Sequence, residues 1–228
     1  MDQGAVSDDQ MRTRRTGSSI RTGRLEAFSD GVFAIAITLL VLELAIPALA
    51  EDNLLQALGS QWPSYLAYFV SFATIGSLWL AHTMMTEHID RADAVFMRLN
   101  LLVLLVVSVL PFTTRLVGEF IGEDAPERVA VTIYGINLIL ASVFLSLLWR
   151  YAAHAKLVVP DVGQDDFRIL TRRFTPGIGA YVVLLIVGRF RPTIAVVGYL
   201  VIALFLMLPF ARPEPRDHSR GDGPGSDG

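Results

Sequence analysis

Recurring long runs of apolar residues constrain this chain more than any other feature of its sequence. An α-helix rises about 1.5 Å per residue, so about 20 residues cover the ~30 Å hydrocarbon layer of a bilayer. The pattern predicts an all-α integral membrane protein with six transmembrane helices. The predicted spans are Leu25–Ala48, Trp62–Met84, Ala94–Leu116, Val129–Tyr151, Phe174–Phe190 and Pro192–Phe210.

Composition supports this class and removes several others. The 228 residues are 53% hydrophobic, above the roughly 45–50% that is usual for soluble domains. The net charge of -3 gives no reason to expect a nucleic-acid partner. With no cysteine in the chain, disulfides, thiol catalysis and cysteine-bound metals are excluded. No HExxH motif, P-loop or convincing Ser/His/Asp set occurs, so we predict neither an enzyme, nor a cofactor, nor a fixed metal site.

Polar ends frame the predicted membrane domain of residues 24–211. Residues 1–23 form an Arg-rich arm and residues 212–228 a tail rich in Pro, Gly and charge, and both are predicted to be disordered. The first apolar run is too long for a signal-peptide core and lacks a cleavage site after it, so we expect a retained span.

Charge distribution predicts the orientation. Arginine and lysine concentrate in the arm, in the loops after spans two and four, and in the tail, which indicates that both termini are cytoplasmic. Acidic residues collect in the other loops, and Arg189 and Arg191 depart from the pattern. An acidic outer mouth would concentrate cations, although charged loops are also common without such a role.

This topology brings polar side chains of spans one to three to one depth near the inner surface. They are Arg24, Ser29, Asp30, Trp79, His82 and Asn100. Ionisable groups at such a depth cost about 2.5–3.5 kcal/mol each unless they are paired. Three interpretations stay open: a hydrogen-bonded network between the helices, snorkelling towards head groups, and a proton or metal site. Arg24 is long enough to snorkel, whereas Asp30 is short.

Helical spacing places a stripe of mostly apolar residues on one face of span one. Its members are Phe28, Gly31, Ile35, Leu39 and Leu42, with Thr38 at its flank. Such a stripe is typical of packing surfaces and lipid contacts, and also of pore linings. No TVGYG potassium filter and no span with the regularly spaced arginines of a voltage sensor occurs in the chain.

The stretch "RLEAFSDGVFAIAITLLVLEL" resembles the signature of the transmembrane protein 175 family, potassium channels of endosomes and lysosomes with prokaryotic relatives. Arg24, Phe28, Ser29 and Asp30 match its Arg-x-x-x-Phe-Ser-Asp motif. The resemblance continues in "LWLAHTMM", with Trp79 and His82, and in "RLNLLVLLVVSVLPF", with Asn100 and Pro111. It covers about the first 115 residues.

The resemblance implies a prokaryotic cell-membrane channel, a homotetramer of six-helix subunits without a re-entrant pore loop. The first helix of each subunit would line a central pore for potassium ions, with modest selectivity over sodium. Ile35 would form the constriction, with Leu39 and Leu42 further outward and Thr38 as a hydroxyl layer. A structural network would hold this helix in place, formed by Arg24, Phe28, Ser29, Asp30, Trp79, His82 and Asn100.

One departure and two alternatives accompany this interpretation. Relatives often carry paired histidines on the second helix, whereas Thr83 follows His82 here, which puts a pH response at this position in doubt. A proton-coupled secondary transporter using Asp30 and His82 is the main alternative. A membrane scaffold without transport is the other.

Overall fold

The described part of the chain, residues 22–44, 53–159 and 177–208, is almost entirely helical in the computed structural model. Its α-helices are α1 Thr22–Leu39, α2 Leu54–Ser60, α3 Trp62–Thr86, α4 Ala94–Phe120, α5 Asp124–His154, α6 Gly177–Gly188 and α7 Pro192–Met207. A 3-10 helix, Leu40–Glu43, continues α1. Helix α1 includes the last two residues of the predicted arm, Thr22 and Gly23, and the rest of the arm and the tail lie outside the described residues.

Four helices are long and apolar enough to cross a membrane, namely α1 with its 3-10 extension, α3, α4 and α5. They confirm the first four predicted spans in type and approximate position. The helices in the regions of the fifth and sixth spans are apolar but shorter, about 18 Å and 24 Å at 1.5 Å per residue. A crossing by α6 and α7 stays a prediction. The short helix α2 was not predicted from the sequence.

The end of the bundle where α1 begins, α3 ends and α4 begins is called the motif end here. At this end Asp93 caps α4, because its side chain accepts hydrogen bonds from the backbone N–H groups of Val95 and Phe96. Tyr151 of α5 donates its hydroxyl to the same carboxylate at 2.6 Å. Burial raises the pKa of Asp93, but these three hydrogen bonds outweigh it and the pKa lies below its ordinary value.

Packing among the helices determines which surfaces remain available. Helix α3 packs against α1, α4 and α7, and α4 packs extensively against α5. Helices α5, α6 and α7 approach closely at Gly135, where a Cβ atom would collide with the Tyr199 hydroxyl and lie 2.8 Å from Cδ1 of Leu185. Helix α1 contacts only part of this body, through α3 and α4.

Candidate functional site

Helix α1 is attached to the rest of the subunit by one face. Ser29, Phe33 and Ala36 of α1 and Leu40 of the 3-10 extension are buried, and their spacing places them on the side that packs against α3 and α4. Three of these four side chains are apolar. The fourth, the hydroxyl of Ser29, is a buried polar group and therefore needs a hydrogen-bond partner.

The opposite face of α1 is exposed in the subunit. Ile35 is 60% exposed and Leu42 is 73% exposed. Only 28% of the apolar window of α1 is buried, against 44% in each of α3, α4 and α5. The exposed residues include the whole stripe predicted from the sequence, which is Phe28, Gly31, Ile35, Thr38, Leu39 and Leu42. A membrane helix with such a face borders lipid, another subunit or a pore.

The exposed face of α1 and its 3-10 extension carries one hydroxyl group, that of Thr38, beside two leucine side chains, those of Leu39 and Leu42. The Thr38 hydroxyl donates to the carbonyl oxygen of Ile35 at 2.9 Å. Because its single hydrogen points back to the backbone, lone pairs of the Thr38 oxygen remain available to a cation or a donor. Side chains three residues apart nearly eclipse in a 3-10 helix, so the change from α1 to the 3-10 segment brings Leu39 and Leu42 almost into line along the axis.

A chain of buried hydrogen bonds joins α1 to α3 and α4 at the motif end. Asn100 donates from Nδ2 to the Ser29 hydroxyl at 2.9 Å. The Asn100 carbonyl oxygen lies 2.7 Å from Nε2 of His82, so with this amide orientation His82 donates from Nε2. Ser29, His82 and Asn100 are called the motif-end network. The Phe33 ring packs against the imidazole, with centroids 5.4 Å apart.

The other residues predicted at this depth make different contacts. Trp79 donates from Nε1 to the Asp30 carboxylate at 2.9 Å, which forms a second link between α1 and α3. Arg24 and Phe28 lie exposed on the same end of α1. Within the part of the chain that the structure describes, no hydrogen bond or ion pair joins Asp30 to Arg24 or His82. The hydrogen-bond partner of Asp30 is Trp79 instead.

A second buried network was missed in the sequence. The Ser71 hydroxyl of α3 lies 2.6 Å from the Thr114 hydroxyl of α4 and 3.0 Å from the Tyr134 hydroxyl of α5. These three residues are called the mid-bundle network. Each lies about 9–15 Å from the nearer end of its helix, at 1.5 Å per residue. The comparison of depths that grouped the motif-end residues could have found them, because all three carry hydroxyl groups on consecutive spans.

The described residues offer no candidate metal centre. No group of three or more His, Asp or Glu side chains with metal-binding geometry occurs among them. The polar groups at the motif end are joined to one another by hydrogen bonds instead. Their arrangement can hold helices together, and it presents an apolar stripe with one hydroxyl layer to whatever lies beside α1.

Comparison with known families gives a match in this region. The family described as "Endosomal/lysosomal potassium channel TMEM175" matches residues 24–111. These residues comprise α1, α2, α3 and most of α4, and they include both the stripe and the motif-end network.

Individual proteins extend the match beyond this region. A potassium channel of Streptomyces collinus is 43% identical over 158 residues, which are 68% of this chain and 77% of the relative. The Bos taurus protein named endosomal/lysosomal proton channel TMEM175 is 38% identical over 138 residues, 57% of this chain and 29% of that longer protein.

A solved structure agrees with the fold. The crystal structure of a lysosomal potassium-selective channel TMEM175 homolog from Chamaesiphon minutus is 35% identical, with a TM-score of 0.74. The similarity covers 81% of this chain and 95% of that one. Together these similarities and the four helices that are long and apolar enough to cross a membrane show an integral membrane protein of the TMEM175 family, in its prokaryotic branch.

Proposed function

We propose that this chain is the subunit of a passive potassium channel whose pore is lined by α1. The observation that carries the proposal is the division of α1 into two faces. One face is fixed to α3 and α4 by packing and by the motif-end network, and the other presents Ile35, Leu39 and Leu42 without a cover from its own subunit. The names of the Streptomyces and Chamaesiphon relatives support potassium as the permeant ion.

Assembly as a homotetramer would bring four copies of the exposed α1 face around one axis. Closed rotational symmetry uses the same contact in every subunit, and it would turn this apolar face away from lipid and towards the central axis. The charge pattern supports insertion in a prokaryotic cell membrane with both termini, and therefore the motif end, on the cytoplasmic side.

Ile35, Leu39 and Leu42 of the four subunits would form apolar rings in the pore, and these rings would select among ions because they offer no ligands. Branched aliphatic side chains offer an ion no replacement for hydration water, and a narrow apolar ring can close by dewetting. Where the ring stays wet, sodium is penalised more than potassium because it holds its water more tightly. The free lone pairs of Thr38 would supply some replacement oxygens. The expected result is modest selectivity for potassium, below that of a carbonyl-lined filter.

The remaining motif residues would position the pore helix rather than contact the ions. Ser29, His82 and Asn100 would set the rotation of α1 by their buried hydrogen bonds. The Trp79–Asp30 bond would fix the start of the helix. We place Arg24 and Phe28 in the same supporting group, on the exposed side at the motif end.

A proton-coupled secondary transporter is the alternative. The bovine relative is named as a proton channel, so proton movement is also tested. A relay between Asp30 and His82 would need a connected path between them. In the described structure Asp30 is bonded to Trp79, and His82 to Asn100. This separation favours the channel. Saturable flux driven by a pH gradient would support the transporter, and no flux of any ion would support a scaffold.

Flux into liposomes under potassium, sodium and proton gradients tests the proposal. We expect potassium flux to exceed sodium flux in the wild-type protein. An Ile35→Asn variant should change both conductance and selectivity, because a polar ring would replace the apolar constriction. Ile194→Asn is the matched control, since Ile194 is 59% exposed and belongs to α7 rather than to the stripe. Equal sodium and potassium flux, or an Ile35→Asn variant that behaves as the wild type, would contradict the proposal.

A further inference from the structure

An ionic cluster lies at the end of α1 opposite the motif end. Nε of Arg115, on α4, lies 3.9 Å from a carboxylate oxygen of Glu43 and 3.7 Å from one of Glu119. Glu43 is the last residue of the 3-10 helix and directly follows Leu42, the last residue of the stripe. The three side chains line a crevice of about 540 Å³ together with Leu42, whose exposed side chain belongs to the stripe.

The cluster carries one more negative charge than positive charge. Arg115 and Glu119 have mostly exposed side chains, and Glu43 is about one quarter exposed, so all three act on the surrounding water. Exposed ion pairs of this length contribute little to stability. Their effect on the local potential does not depend on tight pairing, since fixed charges near an entrance change the concentration of mobile ions there.

We infer that Arg115 is a conductance-determining residue, which limits cation accumulation at the Glu43 end of the pore by offsetting Glu43 and Glu119. This inference rests on the proposed channel function, in which α1 lines the pore. In a homotetramer the cluster would occur four times around the entrance, just beyond Leu42. Removal of the guanidinium would leave two uncompensated carboxylates in each subunit.

Single-channel currents in planar bilayers test this role at low and high ionic strength. At about 0.01 M KCl, where charges act over about 30 Å, Arg115→Gln should raise the current of cations entering from the Glu43 end about twofold. Glu43→Gln should lower that current. Both differences should fade at about 1 M KCl, where charges act over only about 3 Å. The reversal potential between potassium and sodium should stay unchanged, because the entrance potential acts equally on both ions.

Arg128→Gln is the matched control, because it removes an exposed arginine at the same end from α5, which packs against α3, α4 and α7. Its effect on the current should be smaller than that of Arg115→Gln. If the wild-type protein passes current, two results would overturn the role of Arg115 but not the channel function. One is an Arg115→Gln variant whose current at low salt equals that of the wild type, and the other is an equal effect of Arg115→Gln and Arg128→Gln. A wild-type protein that passes no current would instead overturn the channel function.

Discussion

The motif-end network and the mid-bundle network both join three helices, but they act on helices that are held in different ways. Ser29, His82 and Asn100 attach α1 to α3 and α4. Ser71, Thr114 and Tyr134 connect α3, α4 and α5, which are already packed against other helices of the body. Helix α1 packs through only one face and leaves its stripe exposed.

The difference shows that hydrogen bonds of similar strength can have different consequences. An interhelical hydrogen bond in a membrane protein contributes about 0.6 kcal/mol on average and up to about 1.7 kcal/mol. In the middle of the bundle such a bond adds to extensive apolar packing. At the motif end it is one of few contacts that determine how α1 is rotated. Loss of a hydrogen bond of the mid-bundle network should lower stability. Loss of one of the motif-end network should lower stability and also change what the stripe faces.

The largest effect is expected from overpacking the body. Gly135→Ala should lower the free energy of unfolding by about 3 kcal/mol, the upper end for overpacked sites, because the added methyl group meets Tyr199 and Leu185. Denaturant titration in detergent measures it. The control is Gly31→Ala on the stripe, where a Cβ atom meets nothing within 4 Å in the subunit and helix propensity favours alanine. A Gly135→Ala protein as stable as the wild type would show that the body is loosely packed.

A smaller loss of stability with a larger loss of function is expected at the motif end. Asn100→Leu removes both bonds of the network and leaves His82 and Ser29 without these partners, at a cost of about 1–2 kcal/mol. We expect potassium flux in liposomes to fall as well, because α1 loses its fixed rotation. Ser108→Ala is the control, since that exposed hydroxyl bonds only to its own helix at Leu105. Potassium flux equal to that of the wild type in a folded Asn100→Leu protein would contradict the proposed role of the motif-end network in function.

The smallest effect is expected from the mid-bundle network. Tyr134→Phe removes the hydroxyl that contacts Ser71, and it should lower the free energy of unfolding by about 0.6 kcal/mol without a change in ion selectivity. Tyr199→Phe is a close control, because the Tyr199 hydroxyl is buried and has no hydrogen-bond partner among the described residues. Its removal should leave stability unchanged or raise it. A selectivity change in Tyr134→Phe would show that this network also controls the pore helix.

Several elements could be predicted from the sequence because their signals are local. Helices α3 and α4 begin at Trp62 and Ala94 as predicted, with Pro63 in the first turn of α3 and Asp93 as the cap of α4. The last two predicted spans were harder to assign, because within the described residues α6 and α7 are shorter than a full crossing.

The sequence by itself determined that the chain enters a membrane, and it determined which side chains lie at the motif end. Both follow from the free energy of transfer of each residue and from helical periodicity, which are properties of neighbouring positions. Only the tertiary structure decided that Asp30 meets Trp79 and that Asn100 connects Ser29 with His82. Residues at one depth can pair in several ways, and the rotation of each helix against its neighbours selects one of them.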